Sequence, residues 1–191
     1  MKTRLGIFAS GNGSNALNFN AYFSNHDSIE VAKIYCNNPA AGILTKAFSY
    51  DIPAHLFTKS QLTTGAVLEQ LVADKIDIIV LAGFLWLIPE NLIDAFPSKI
   101  INIHPALLPK YGGKGMFGSN VHKAVIENKE TESGITIHLV DKFYDHGGHL
   151  FQAKTLVDSS DTPETLAAKI HTLEHEHFPR VVADHIKKLL D

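Results

Sequence analysis

The sequence predicts an α/β protein with a doubly wound, mostly parallel sheet and a C-terminal helix. Three observations carry that expectation. Short runs rich in apolar and β-branched residues recur along the first hundred positions, as strands covered on both faces require. Segments with helical spacing lie between them. Turn residues bound almost every run, and strand alternating with helix is the pattern of a parallel sheet.

Taken in order, Leu5–Ala9 reads as a buried strand and Asn15–Phe23 as a helix. Ile29–Cys36 is a second strand, ending in Asn37-Asn38-Pro39. Ala40–Tyr50 is helical and Ala54–Phe57 a short strand. Thr64–Ala73 is helical, with Val67, Leu68 and Leu71 on one face. Ile76–Ala82 is the strongest strand, and Ile100–Ile103 is another. Gly134–Val140 and Leu150–Val157 are two further strands, and the segment Asp141–His149 between them fits either a hairpin or a crossover. The last helix starts with Thr162 as N-cap and Pro163 as first helical residue. Leu166, Ile170, Leu173 and His177 follow at helical spacing, and Pro179 is expected to kink or restart the helix.

Composition narrows the function. The chain has 191 residues, 45% hydrophobic and 19% charged, with net charge −3, so a sizeable core is available. No basic run is present, which argues against a nucleic-acid or membrane-surface partner. The single cysteine, Cys36, has no internal partner and favours a reducing compartment. The N-terminal apolar run is too short for a signal-peptide core, and no stretch is long enough for a membrane span. A soluble, cytoplasmic protein is expected.

Four segments carry candidate chemistry. Gly11-Asn12-Gly13-Ser14-Asn15 joins a strand to a helix, where free backbone N–H groups and the helix dipole favour an anion. No acid follows the second strand to hold a ribose hydroxyl, so a lone phosphate suits this turn better than a dinucleotide. A simple tight turn explains it too. In Asn102-Ile103-His104-Pro105, strand alternation puts Asn102 and His104 on one face. An amide donor and an imidazole together suit a reaction that develops an oxyanion while a proton moves. A histidine merely capping the strand end accounts equally for the pattern. Asp145, before Gly147-Gly148, either offers a carboxylate to a cavity or organises its turn. Glu174 lies at the margin of the last helix's apolar stripe, placed for a sugar hydroxyl or for solvent. His171-Thr172-Leu173-Glu174-His175 also matches the H-x-x-E-H pattern of some zinc proteases. No third ligand from another segment is identifiable, and no metal is expected.

In this order and spacing, Ser10–Asn15 (SGNGSN), Val80–Phe84 (VLAGF), Asn102–Tyr111 (NIHPALLPKY), Gly134–His138 (GITIH), Asp145–Gly148 (DHGG), Gln152-Ala153 and Glu174-His175 resemble the phosphoribosylglycinamide formyltransferase family. The matches span nearly the whole chain. The resemblance implies a Rossmann-like formyltransferase fold in one domain, residues 1–191, with a phosphate-binding half at 1–100 and a catalytic, folate-binding half at 101–191. It implies transfer of a formyl group from the co-substrate 10-formyltetrahydrofolate to the amine of 5-phosphoribosylglycinamide, in de novo purine biosynthesis. Asn102, His104 and Asp145 match the catalytic trio. Gly13, Ser14 and Asn15 match the phosphate site, and Glu174 matches a ribose contact. Leu85, Trp86, Leu87, Ile88, Asn102 and Asp141 match the folate pocket. In the implied mechanism the amine attacks the formyl carbon directly. Asn102 and protonated His104 stabilise the oxyanion, and Asp145 orients His104. The implied partners are small-molecule substrates, and the implied state is a monomer or weak homodimer. The glycine-rich stretch Gly112–Gly118 replaces a shorter Pro-Gly loop of the family. A formyltetrahydrofolate hydrolase, a sugar-amine formyltransferase and, remotely, a zinc metalloprotease using His171, Glu174 and His175 are the competing readings.

Overall fold

The computed structural model describes residues 2–190, and the chain divides into two compact units, Met1–Ile101 and Asn102–Asp191. The first unit contains β1 (Thr3–Ala9), α1 (Ser14–Phe23), β2 (Ile29–Cys36), α2 (Gly42–Ser49), β3 (Ala54–Leu56), α3 (Lys59–Thr64), α4 (Ala66–Ala73), β4 (Ile78–Leu81) and α5 (Glu90–Ala95). Its strands lie in the order β3-β2-β1-β4. All three pairings are parallel, with Ile7 opposite both Ile34 and Val80, and Tyr35 opposite His55. Leu5, Ile7, Phe8 and every residue of β4 are buried, which is why these strands read as apolar runs rather than alternating ones. A cluster of rings packs behind the strand ends: Phe8 stacks on Tyr35 at 5.1 Å, and Phe84 and Phe57 each meet Trp86 edge-on.

Strand β5 (Ile100–His104) runs through the division between the units. The second unit adds α6 (Ser119–Glu127), β6 (Glu132–Leu139), β7 (His149–Leu156) and α7 (Pro163–Leu190), with strand order β5-β6-β7. Strands β6 and β7 are antiparallel, with Thr136 opposite Gln152, so the segment between them is a hairpin connection. The chain thus has the expected α/β class, with mostly parallel strands and a C-terminal helix.

Two expectations are corrected. Thr64–Ala73 is not one helix, because Gly65 adopts φ 97 and separates α3 from α4. That left-handed geometry is open to glycine and ends a helix. Helix α3 itself is started by a capping box between Thr58 and Gln61. Pro179 does not restart the last helix, which continues from Pro163 to Leu190. A proline inside a helix costs about 3 kcal/mol. Here Phe178, Val181 and Val182 are buried around it, and each contributes about 1.5–3 kcal/mol by burial, so packing wins. Among the described residues, no helix is long and apolar enough to cross a membrane.

A polar cluster sits beside the first unit's core. The carboxylate of Asp74 accepts from Lys33 Nζ at 2.6 Å, Tyr35 OH at 2.7 Å and Gln70 Nε2 at 2.9 Å. Burial opposes its ionisation, but these three donors outweigh burial and hold Asp74 at about 2. A carboxyl held below its unfolded value stabilises the fold at pH above roughly 4, and that stability is lost as pH falls through the folded value. We therefore expect Asp74→Asn to lower unfolding stability at neutral pH by about 1–2 kcal/mol. Its urea midpoint should also fall less between pH 4 and pH 2 than that of the parent. Parallel pH dependence in the two proteins would remove Asp74 from this role.

Candidate active site

The C-terminal end of β5 presents Asn102 and His104, as alternation requires, with buried Ile103 facing the other way. Asp145 comes from the β6–β7 connection in a left-handed conformation, φ 55. The structure brings these three together. Asp145 Oδ2 lies 3.4 Å from His104 Nδ1, and Asp145 Oδ1 lies 3.5 Å from Asn102 Nδ2. His104 is 3% exposed and the Asp145 side chain 11%, while Asn102 is half-buried.

A fourth member was not singled out in the sequence. His138, 2% exposed on β6, has Nε2 3.0 Å from Asn102 Nδ2 and 3.6 Å from Asp145 Oδ1. Its Nδ1 lies 2.8 Å from the Leu139 carbonyl, an acceptor only, so Nδ1 carries the hydrogen. His138 ends the Gly134–His138 stretch, but nothing in the pattern separates a buried functional histidine there from a packed one.

His104 meets acceptors on both ring nitrogens: the Tyr111 carbonyl at 2.8 Å from Nε2, and Asp145 at Nδ1. Only the imidazolium donates from both. Burial pushes His104 below the usual histidine range, while Asp145 and the Tyr111 carbonyl push it back up. Burial likewise raises Asp145, but His138, His104 and the Gly113 N–H at 2.9 Å together leave it below the usual carboxylate range. His122 on α6, 7% exposed, is pushed down by burial and then by His104.

The predicted anion turn lies in the first unit. Gly13 has φ 73 and precedes the first turn of α1, and Asn15 is 9% exposed. A Cβ at Gly13 would overlap the side chain of Ile43. Gly13 is therefore required by packing as well as by backbone conformation, and a bulky residue there would disturb α2. Lys46 of α2 bonds Asn12 through its carbonyl at 2.9 Å and its Oδ1 at 2.8 Å, bringing a cation to this turn that no local motif announced. The segment after β4 is anchored by Leu85 N donating to Ser10 Oγ at 3.3 Å. Leu85 and Leu87 are exposed, Trp86 is half-buried against Phe57 and Phe84, and Ile88 is buried.

In the second unit, Asp141 accepts from Phe143 N at 2.9 Å and pairs with His146 at 3.1 Å. Glu174 is half-buried on α7. The rings of His171 and His175 lie 4.0 Å apart, and among the described residues no group of three or more His, Cys, Asp or Glu is arranged to hold a metal ion.

Comparison with known proteins places this chain in a class. The formyl transferase family matches residues 3–182. The chain is 39% identical over 188 residues to the chloroplastic phosphoribosylglycinamide formyltransferase of Arabidopsis thaliana, covering 95% of this chain and 64% of that protein. It is 35% identical over 186 residues to the phosphoribosylglycinamide formyltransferase of Bacillus subtilis, covering 94% and 92% respectively. The crystal structure of phosphoribosylglycinamide formyltransferase from Anaplasma phagocytophilum superposes with a TM-score of 0.87 at 32% identity, over 95% of this chain and 85% of that one. The chain belongs to the formyl transferase family. It spans less than two thirds of the plant relative's length and nearly all of the bacterial one's.

The opposing effects on His104 are separable. Asp145→Asn keeps the size of the side chain but removes the charge that supports the imidazolium. We expect the His104 ring, followed by NMR across pH, to titrate lower still in the variant. An unchanged or higher titration point would show that Asp145 does not support the charge.

Proposed function

We propose that the protein transfers the formyl group of 10-formyltetrahydrofolate to the amine of 5-phosphoribosylglycinamide, the activity for which its relatives are named. The observation that carries this reading is the cluster of Asn102, His104, Asp145 and His138 at the end of β5. The amine lone pair attacks the formyl carbon, forming a C–N bond and turning the carbonyl into an oxyanion. His104 Nε2–H, which now meets the Tyr111 carbonyl, is the donor proposed for that oxyanion, and the Asn102 amide is the second. The incoming ammonium loses its proton to Asp145, directly or through water. Collapse of the oxyanion then breaks the bond to the folate nitrogen, which takes that proton as it leaves and returns Asp145 to its ionised form. A positioned oxyanion donor contributes roughly 10²–10³-fold.

We further propose that Gly13, Ser14 and Asn15 hold the substrate phosphate, with Lys46 as the nearby counter-charge. Glu174 then contacts the ribose, and Leu85–Ile88, Asn102 and Asp141 contact the folate. The two halves of the chain act as one formyltransferase domain on small-molecule substrates. A buried, free Cys36 suits a reducing compartment, and we assign the protein to the cytoplasm. Hydrolysis of 10-formyltetrahydrofolate uses the same chemistry with water as acceptor, so acceptor dependence is the deciding measurement. Formyl transfer should require 5-phosphoribosylglycinamide; release of formate at equal rate without it would establish the hydrolase instead.

Asp145→Asn should slow turnover by about 10²–10⁴-fold with little change in either KM. If the imidazolium is the working form, the rate falls as pH rises through the His104 pKa, and the variant's fall should lie at lower pH. Near-normal kcat across the pH range would reduce Asp145 to a turn residue. Ser14→Ala should raise the KM of the phosphoribosyl acceptor and leave that of the folate unchanged; equal effects on both would displace the phosphate from this turn.

A further inference from the structure

The second unit contains a cavity of about 320 Å³ that shares Tyr111 with the catalytic cluster but lies outside it. We propose that it binds a free α-amino acid with an apolar side chain. Its size is at the lower end of small-molecule pockets, roughly 300–1,000 Å³, which fits an amino acid better than a nucleotide. Leu107 and Val125 supply apolar wall, and two lysine–glutamate pairs supply both signs of charge. Lys110 Nζ meets Glu130 Oε1 at 2.9 Å, and Lys154 Nζ meets Glu132 Oε1 at 2.7 Å.

The charge pattern selects the ligand. Both contacts to Glu130 and the one to Glu132 fall on Oε1, so each carboxylate keeps Oε2 for a further donor. The lysines are 68% and 63% exposed, and exposed pairs of this kind contribute only about 0–1 kcal/mol, so exchange for a ligand's charges is easy. A ligand with one charge would satisfy one member of each pair and strand the other. A zwitterion satisfies both, its ammonium on the glutamates and its carboxylate on the lysines. Ser133, 3% exposed, lines the same cavity, and its Oγ has no partner among the described residues. A buried hydroxyl left unpaired costs about 1–3 kcal/mol.

Tyr111 ties this cavity to catalysis. Its hydroxyl donates to Glu130 Oε1 at 2.8 Å, while its carbonyl accepts from His104 Nε2 at 2.8 Å. It holds both contacts with φ 57, a left-handed conformation uncommon for a tyrosine. A ligand ammonium on Glu130 Oε2 competes with the Tyr111 hydroxyl for the charge of the same carboxylate, and so acts on the residue that covers His104. Occupancy of the cavity is read at the catalytic imidazole.

The test is calorimetric titration of the full chain with L-leucine, repeated with L-leucinamide, which lacks the carboxylate, and N-acetyl-L-leucine, which lacks the ammonium. We expect one site with Kd on the order of 1 mM for leucine, weaker by at least about tenfold for either analogue. Glu132→Gln and Lys154→Gln, both at exposed positions, should weaken leucine binding similarly. Leucine should also shift the His104 ring resonances in the parent protein, and not in Tyr111→Phe, which keeps the carbonyl but loses the hydroxyl. Absence of saturable heat, equal binding of leucinamide, or full affinity in the two variants would overturn the site. Binding without any shift at His104 would overturn the coupling. None of these readouts depends on formyl transfer.

Discussion

The buried carboxylate of Asp145 is the group around which the second unit's chemistry is arranged. Its side chain is 11% exposed, and an ionised carboxylate at that depth persists only with compensating partners. Four supply them: His104 from β5, Asn102 two residues earlier, His138 from β6, and the backbone of Gly113. Two strands and two loops thus converge on one charge. Removing any partner exposes the charge to its desolvation cost, so the groups that position the carboxylate are also those that keep it ionised. The low-dielectric setting that makes the carboxylate costly also strengthens any donor aimed at a developing oxyanion.

The same convergence sets two demands on His104 against each other. Burial favours the neutral ring, whereas carboxylate and carbonyl neighbours favour the charged one. The balance lies below the usual histidine range. The Tyr111 carbonyl lies 2.8 Å from Nε2, the ring atom that the proposed mechanism turns toward the reacting oxygen. Tyr111 stands immediately before the glycine-rich stretch. Gly113, Gly115 and Gly118 all have positive φ there. A backbone so rich in left-handed positions follows the demands of its contacts, not those of a regular element.

The two-faced burial of β1 and β4, the spacing of the helices and the proline-started last helix could all be read from residue order, because each depends on neighbours a few positions away. Where tertiary contacts compete with local preference, residue order alone failed. Pro179 stays inside α7 because its buried neighbours hold it. Helix α6 was missed because one of the residues on its buried face is His122, which reads as polar. The hairpin between β6 and β7 was undecided because strand pairing is a property of two segments, not of either.

The site divides along the same line. Asn102 and His104 share a face because a strand alternates, and two residues suffice to show it. The closeness of Asp145 rested on resemblance alone, since 41 positions of chain separate it from His104 and no local rule measures that gap. His138, Lys46, the Tyr111 carbonyl over His104 and the charged cavity beside it were legible nowhere in the sequence. By itself the sequence determined the order of elements and the chemical types available at each strand end. Only the tertiary structure decided which of those groups meet, which is buried, and which therefore has its proton affinity shifted, because burial and charge proximity depend on distances in space and not along the chain.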